Sequence, residues 1–383
     1  MSEKAPHEAE ERVGPLELFF DLVFVFALTQ VTARLADDPT WAGLLRGVLV
    51  LAAVWWAWAA YAWLTDTLNA EDGGIRLAMF AAMGAMLVVA LAVPTALEED
   101  ALLFAAAYVL VRVLHIVLYW RGTRDDPDVL RAVLMFTPTV MIACTLYVGG
   151  AFVGDDARIA LWIVALSIDI VGPALGRGRG WRVHPGHFAE RHALIVIIAL
   201  GESLVALGAG AAGLALDLGL VTSALLGIVV VAGLWWLYFD VVAIVAERRL
   251  REATGAARAS MARDSYSYLH FPMIVGIVLF ALALKKTLAD HEAALKVVPA
   301  VGLCGGIALY LLAHVAFRLR NVRTLNKQRL AVAAVLLVAV PLATRVPALA
   351  ALAGAAGLTA GLVAYEAIRF REARARVRAR LAT

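Results

Sequence analysis

The sequence predicts an all-α polytopic membrane protein that crosses the bilayer about twelve times, as two parallel six-helix repeats, and three observations lead there. The first is composition. Of 383 residues, 62% are hydrophobic and 17% charged, with a mean hydropathy of +0.82. A soluble domain runs about 45 to 50% apolar and about 25% charged, so a water-soluble globular enzyme is excluded. The second is that the apolar residues fall into runs close to the roughly 20 that one helix needs to cross a bilayer. The third is that basic residues concentrate in every second loop.

The spans follow from the breaks between them. The first, 16–36, ends at Asp37-Asp38-Pro39, and the second, 41–64, runs towards Glu71-Asp72-Gly73-Gly74. Spans 75–97 and 101–120 are divided by the acidic Glu98, Glu99 and Asp100; spans 129–150 and 157–175 by Gly154-Asp155-Asp156. After the linker 176–190 come 191–212, 219–246, 264–288, 296–318, 328–345 and 348–369. The eleventh of these is the marginal one in length, and Pro341 within it predicts a kinked or partly re-entrant segment. The organisation is therefore a cytoplasmic N-terminus over 1–15, a first repeat over 16–175, a cytoplasmic linker over 176–190, a second repeat over 191–369 and a basic tail over 370–383.

On this reading, 26 of the 34 Lys and Arg residues lie at the termini and after even-numbered spans, 7 after odd-numbered spans, and Arg112 within a span. Positively charged loops stay in the cytoplasm. Both termini are therefore expected there, in a multi-pass protein of the cytoplasmic (inner) membrane. Residues Met1 to Gly14 lack a signal-peptide pattern, so the first apolar run is expected to stay as a signal anchor. The tail arginines from Arg369 to Arg380 suit the anionic inner leaflet or a plain topology anchor. Cys144 and Cys304 both sit inside apolar runs, which excludes a disulfide framework and a CxxC metal site.

The two halves share an order of features. Glu17, Trp55-Trp56 and Asp66 have counterparts in Glu190, Trp235-Trp236 and Asp240, and His115 aligns with His314; the offsets are 173 for Glu17, 180 for Trp55 and 199 for His115. Six spans per copy is an even number, so the copies are expected to share one orientation, the plan of transporters built from parallel repeats.

Ionisable residues within spans cost at least about 2.5 to 3.5 kcal/mol on insertion scales and normally face protein or water. They are the candidate functional residues. In GPLELFFDLVFVFALTQ, Glu17 and Asp21 share a helix face to which Thr32 returns. In HFAERHALIVIIALGESLVALG, Glu202 lies deep in the apolar run, flanked by Gly201 and Ser203, with Glu190 and Arg191 near the start. Arg191 is eleven residues from Glu202, about 16 Å along a helix, so it cannot be the direct partner. Glu202 is expected to be neutral at pH 7 or paired with a group from another helix.

Secondary candidates are Arg112, His115, Asp169, Asp240 and His314. Arg112 and His115 share a face with Tyr108 and Tyr119, and His314 is spaced i,i+4 from Tyr310 and Arg318. The histidines, His270 included, suit interhelical hydrogen bonds, proton relays or haem ligation. Asp66 and Asp240 follow aromatic clusters and read as interface-belt residues. His184, His187 and His192 read as a solvated cytoplasmic loop, since their spacing matches no established zinc site. No GxxxxGK[ST], GxSxG or HExxH motif occurs. No cofactor and no nucleic-acid partner is expected; the expected partners are the bilayer and a small solute or ion.

The blocks GPLELFFDLVFVFALTQ and HFAERHALIVIIALGES resemble the signatures of the bacterial low temperature requirement protein A (LtrA) family, at Glu17, Phe20 and Asp21 and at Glu190, Arg191, Gly201, Glu202 and Ser203. The resemblance implies an integral membrane protein and names no substrate. The stretch FFDLVFVFALT is also similar to the Phe-Ser-Asp opening helix of the endolysosomal potassium channel, departing from it at Phe20. The sequence therefore points to a proton-coupled secondary transporter or permease working through Glu17, Asp21, Glu190, Arg191, Glu202 and Ser203. An ion channel on the same scaffold and an intramembrane redox protein are the alternatives.

Overall fold

The computed structural model describes residues 12–68, 72–175, 180–372 and 374, and among them the fold is all α. The helices are α1 (Pro15–Asp37), α2 (Trp41–Thr67), α3 (Gly73–Ala92), α4 (Ala101–Gly122), α5 (Pro127–Gly150), α6 (Asp155–Leu175), α7 (Pro185–Ala211) and α8 (Leu218–Phe239). There follow α9 (Val242–Glu252), α10 (Gly255–Met261), α11 (His270–Ala289), α12 (Val297–Ala300), α13 (Gly306–Val322), α14 (Lys327–Ala343) and α15 (Ala348–Arg369). A π-helical turn, Ala262–Tyr268, fuses α10 to α11, and a second, Val301–Gly305, fuses α12 to α13. Eleven of the resulting rods among the described residues are long and apolar enough to cross a membrane. The twelfth apolar helix, α14, has 17 residues. It is continuous, with Pro341 in its last turn, where one ladder bond is lost but only the helix end lies beyond it; the expected re-entrant break is not present.

Local chemistry sets the ends. Proline stands at the first position of α1, α5 and α7, where its fixed φ is helical and its missing N–H costs nothing. Thr40, Asp126, Asp217 and Asn326 accept backbone N–H groups at the starts of α2, α5, α8 and α14. Pro185 explains why α7 begins six residues before the expected 191, which draws His187, Glu190 and Arg191 into the helix.

The most buried rods are α2, α10–α11 and α12–α13, and the outer helices bury half or less of their apolar length. Helix α1 packs on α2, α3, α7 and α11. In the first half the order of contact runs α1, α3, α4, α5, α6; in the second it runs α7, α11, α13, α14, α15. The α11–α13 contact is close because two glycines meet: a Cβ on Gly276 would lie 2.5 Å from the Gly306 carbonyl oxygen, and one on Gly306 2.8 Å from that of Gly276. Backbones approach this way where small residues face each other. Gly276→Ala should therefore lower stability by about 1–3 kcal/mol, measured as earlier thermal unfolding in detergent; an unchanged transition would mean that the contact can relax.

Candidate functional site

Helices α1 and α7 run side by side in one direction and in constant register. His187 meets Glu17, Arg191 meets Asp21, and Glu202 faces Thr32, so each contact joins residues 170 apart in sequence. Polar groups occupy this seam at two levels about 16 Å apart, eleven residues at 1.5 Å each.

The first level is an acid–base ladder. Glu17, in the first turn of α1, accepts the Gly14 N–H at 2.9 Å through Oε2, and the same oxygen lies 2.9 Å from His187 Nε2. The other ring nitrogen, Nδ1, is 3.1 Å from Asp66 Oδ1 at the end of α2. Asp66 Oδ2 accepts the His184 N–H at 3.0 Å, which ties the start of α7 to α2. Ionised carboxylates only accept hydrogen bonds, so the Asp66–His187–Glu17 chain needs two protons for its two contacts.

Arg191 continues the ladder inward. Its Nε is 3.8 Å from Glu17 Oε1 and its Nη2 3.0 Å from Asp21 Oδ1, with all three side chains buried. Asp21 Oδ1 also accepts the Trp58 indole N–H at 2.9 Å. The guanidinium lies 5.9 Å from the Trp58 ring centre, within cation–π range. Asp21 Oδ2 and the Arg191 N–H groups have no hydrogen-bond partner among the described residues. A cation and two acids this dry attract strongly, and losing one member leaves a costly unpaired charge.

Above this, α1 presents Phe24, Ala27, Leu28 and Val31, and α7 presents Ile195, Val196 and Ala199, all buried. The second level then holds Glu202, fully buried, facing Thr32 and in the field of Lys285 on α11. Neither carboxyl oxygen has a hydrogen-bond partner among the described residues, and the Thr32 hydroxyl donates to the Leu28 carbonyl at 3.1 Å, which leaves it only an acceptor toward Glu202. Ser203 is buried beside it with its hydroxyl likewise unpartnered.

The remaining candidates are placed elsewhere. Glu190 is exposed and accepts the Val13 N–H at 3.1 Å, outside the ladder. Arg112 Nη2 and Asp169 Oδ1 form a buried pair at 2.7 Å between α4 and α6, with the His115 ring 5.6 Å from Tyr61 and 5.0 Å from Tyr119. Asp240 is paired with Arg374. His314 packs on Tyr310 as its spacing predicts, at 4.5 Å, but its polar partner is Arg329 on α14, 2.8 Å from Nδ1, and Arg318 bonds Thr324 instead. Arg329 in turn grips Glu366 of α15 with two hydrogen bonds, at 3.0 and 2.8 Å.

Two expectations are corrected here. His187 and His192 are not in a solvated loop: both are buried in α7, His192 among Trp58, Phe188, Tyr266 and His270. Asp66 is not a belt residue but the outer acid of the ladder. The sequence signal for the histidines was Pro185, which marks the helix start and puts His187 and Arg191 one turn apart on the face that Glu17 and Asp21 meet. The π-turn Ala262–Tyr268 was also missed. Its wider winding leaves the Ser265 carbonyl to His270 Nδ1 at 3.0 Å and the Ser267 carbonyl to Trp55 at 2.9 Å, locking α2 to α11; such turns often mark functional sites. Cys144 and Cys304 are free and buried. No group of three or more His, Cys, Asp or Glu side chains that could hold a metal ion occurs among the described residues.

A bundle of long apolar helices whose buried ionisable side chains lie at contacts between helices defines a polytopic α-helical membrane protein, in contact with the lipid bilayer. The family model described as bacterial low temperature requirement A protein (LtrA) matches residues 12–364, and the chain belongs to that family. An uncharacterized protein of Rhizobium meliloti (strain 1021) is 32% identical over 290 residues, covering 71% of this chain and 69% of that protein. No solved structure matches the chain.

Proposed function

We propose that the protein is a proton-coupled secondary permease of the bacterial cytoplasmic membrane, with its pathway along the α1–α7 seam and both termini in the cytoplasm. The observation that carries this reading is the seam itself: two parallel helices in constant register, with a proton-sharing ladder at one level and a lone buried acid at the other. Intramembrane acids in such positions mark ion and proton pathways. The matched packing orders of the halves support two parallel six-helix copies over 16–175 and 191–369, an arrangement in which substrate and coupling sites lie between the copies. Asp21 and Glu202 are the coupling acids. Glu17, His187 and Arg191 open and close the cytoplasmic side, and Ser203 lines the inner level.

Reconstituted vesicles with an internal pH dye test the assignment. Imposed gradients should drive proton movement that Asp21→Asn and Glu202→Gln together abolish, and movement unaffected by the double substitution would sink it. The apolar layer of Phe24, Leu28 and Val31 between the two levels favours one second reading, a channel with a hydrophobic gate. Unitary currents in planar bilayers would support the channel, and uptake without them the permease.

A further inference from the structure

Away from the α1–α7 seam, a cavity of about 60 Å³ opens between α2, α4, α5, α6 and the π-turn. Its walls are apolar and aromatic, with Trp56, Trp63, Phe136 and Trp181 among them, and Ala59 and Ala60 form part of one side. Its polar lining includes Arg112 and Arg263. Arg112 is 2% exposed, and its Nε and Nη1 have no hydrogen-bond partner among the described residues, only Nη2 being spent on Asp169. Arg263 Nη1 is likewise unpartnered. The lining also includes His115, Tyr119 and Ser267 and, among the described residues, no carboxylate. The guanidinium N–H groups are thus its charged donors, and a buried donor without an acceptor calls for an explanation.

Charge and size narrow the ligand. Asp169 balances Arg112, and Asp264 is shared between Arg263 and Arg320, at 2.6 and 3.1 Å. The two arginines that line the cavity are therefore each paired with an aspartate, and Arg320, which shares Asp264, is not part of the lining. The guanidinium N–H groups left over call for an oxygen acceptor of at most one negative charge; a cation or a dianion does not fit. Benzene occupies an engineered cavity of roughly 150 Å³, and a water molecule's share of the liquid is roughly 30 Å³, so aromatic acids are too large. We propose that this cavity binds a short-chain monocarboxylate of about the size of acetate, its oxygens taking the Arg112 and Arg263 donors and its alkyl group resting against the tryptophans. Guanidinium groups suit planar oxyanions of this kind, and the apolar wall discriminates against chloride.

The test uses the full chain in detergent, with sodium acetate as the probe and intrinsic tryptophan emission as the readout, since Trp56, Trp63 and Trp181 line the site. Acetate should change the emission saturably, whereas benzoate and chloride at matched ionic strength should not. Ala60→Leu, which fills the cavity and leaves the Arg112–Asp169 pair intact, should weaken acetate binding at least about tenfold, the loss of roughly 1.4 kcal/mol. The paired substitution Arg112→Gln with Asp169→Asn, which removes the donor without stranding an acid, should do the same. No saturable response of the wild-type protein to acetate, an equal response to benzoate, or unchanged affinity in a folded Ala60→Leu protein would each overturn the proposal. Because the readout is binding and not flux, its failure would leave the α1–α7 pathway untouched.

Discussion

Arg191→Gln is expected to destabilise the protein by about 3–5 kcal/mol, the usual cost of removing one partner from a buried ion pair. The guanidinium is the cation that stands between Glu17 and Asp21, and all three are buried. Removing it leaves two buried acids one turn apart on one face of α1, with His187 a partner of Glu17 but not of Asp21, and α7 loses its tie to Asp21. The loss should be read as a lowered thermal transition of the purified full chain. The double variant Arg191→Gln with Asp21→Asn should recover at least half of it, since the stranded charge is then gone and the Trp58 indole still finds the amide oxygen. A single variant as stable as wild type would show that the ladder does not hold the two helices together.

That pair was half legible in the sequence. Helical periodicity places Glu17 and Asp21 on one face of α1, and the apolar length of each run fixes where the helices lie, because the bilayer demands a long uninterrupted stretch and the loops demand charge. Periodicity cannot say which helix a polar face meets. Arg191 was therefore a pathway candidate with no named partner, and its pairing is visible only in the parallel run of α7 beside α1 at a constant offset of 170 residues. His187 and Asp66 were misplaced for a related reason. Both lie within a turn or two of a helix end, where composition is the same whether the side chain turns outward to water or inward to a partner.

The Arg112–Asp169 pair shows the other side of this. Two lone charges in separate apolar spans, each too costly to leave unpaired in lipid, are natural partners, and the structure brings them to 2.7 Å. The Arg329–Glu366 contact escaped notice because its members sit at span edges, where charge excites no suspicion, although both are largely buried. The π-turn at Ala262–Tyr268 had no readable signal: its residues, Ala, Arg, Asp, Ser and Tyr, are ordinary helix-end residues, and its carbonyls are met by Trp55 from α2 and by the adjacent His270.

Glu202→Gln is expected to leave folding intact and abolish pH-dependent transport. The first half follows from the site. Glu202 makes no ion pair within 4 Å and neither oxygen has a hydrogen-bond partner among the described residues, so the isosteric amide strands no charge and fills the same space. Its thermal transition should shift by no more than about 1 kcal/mol, the worth of one ordinary hydrogen bond. The second half follows from what an amide cannot do. Under the permease reading, Glu202 takes up and releases a proton as the seam changes conformation, with Lys285 approaching to stabilise the ionised form or withdrawing to favour the neutral one. Gln keeps the shape of the protonated acid and can release nothing, so flux should lose its pH dependence and fall at least about tenfold, the effect of roughly 1.4 kcal/mol on a barrier. Infrared difference spectra across a pH titration should show a carboxyl band in the wild type that is missing in the variant. Should Glu202→Gln match wild type in both flux and pH profile, the acid at the inner level is only a hydrogen-bonding contact between α7 and its neighbours, and the coupling step lies on the Asp66–His187–Glu17 chain instead.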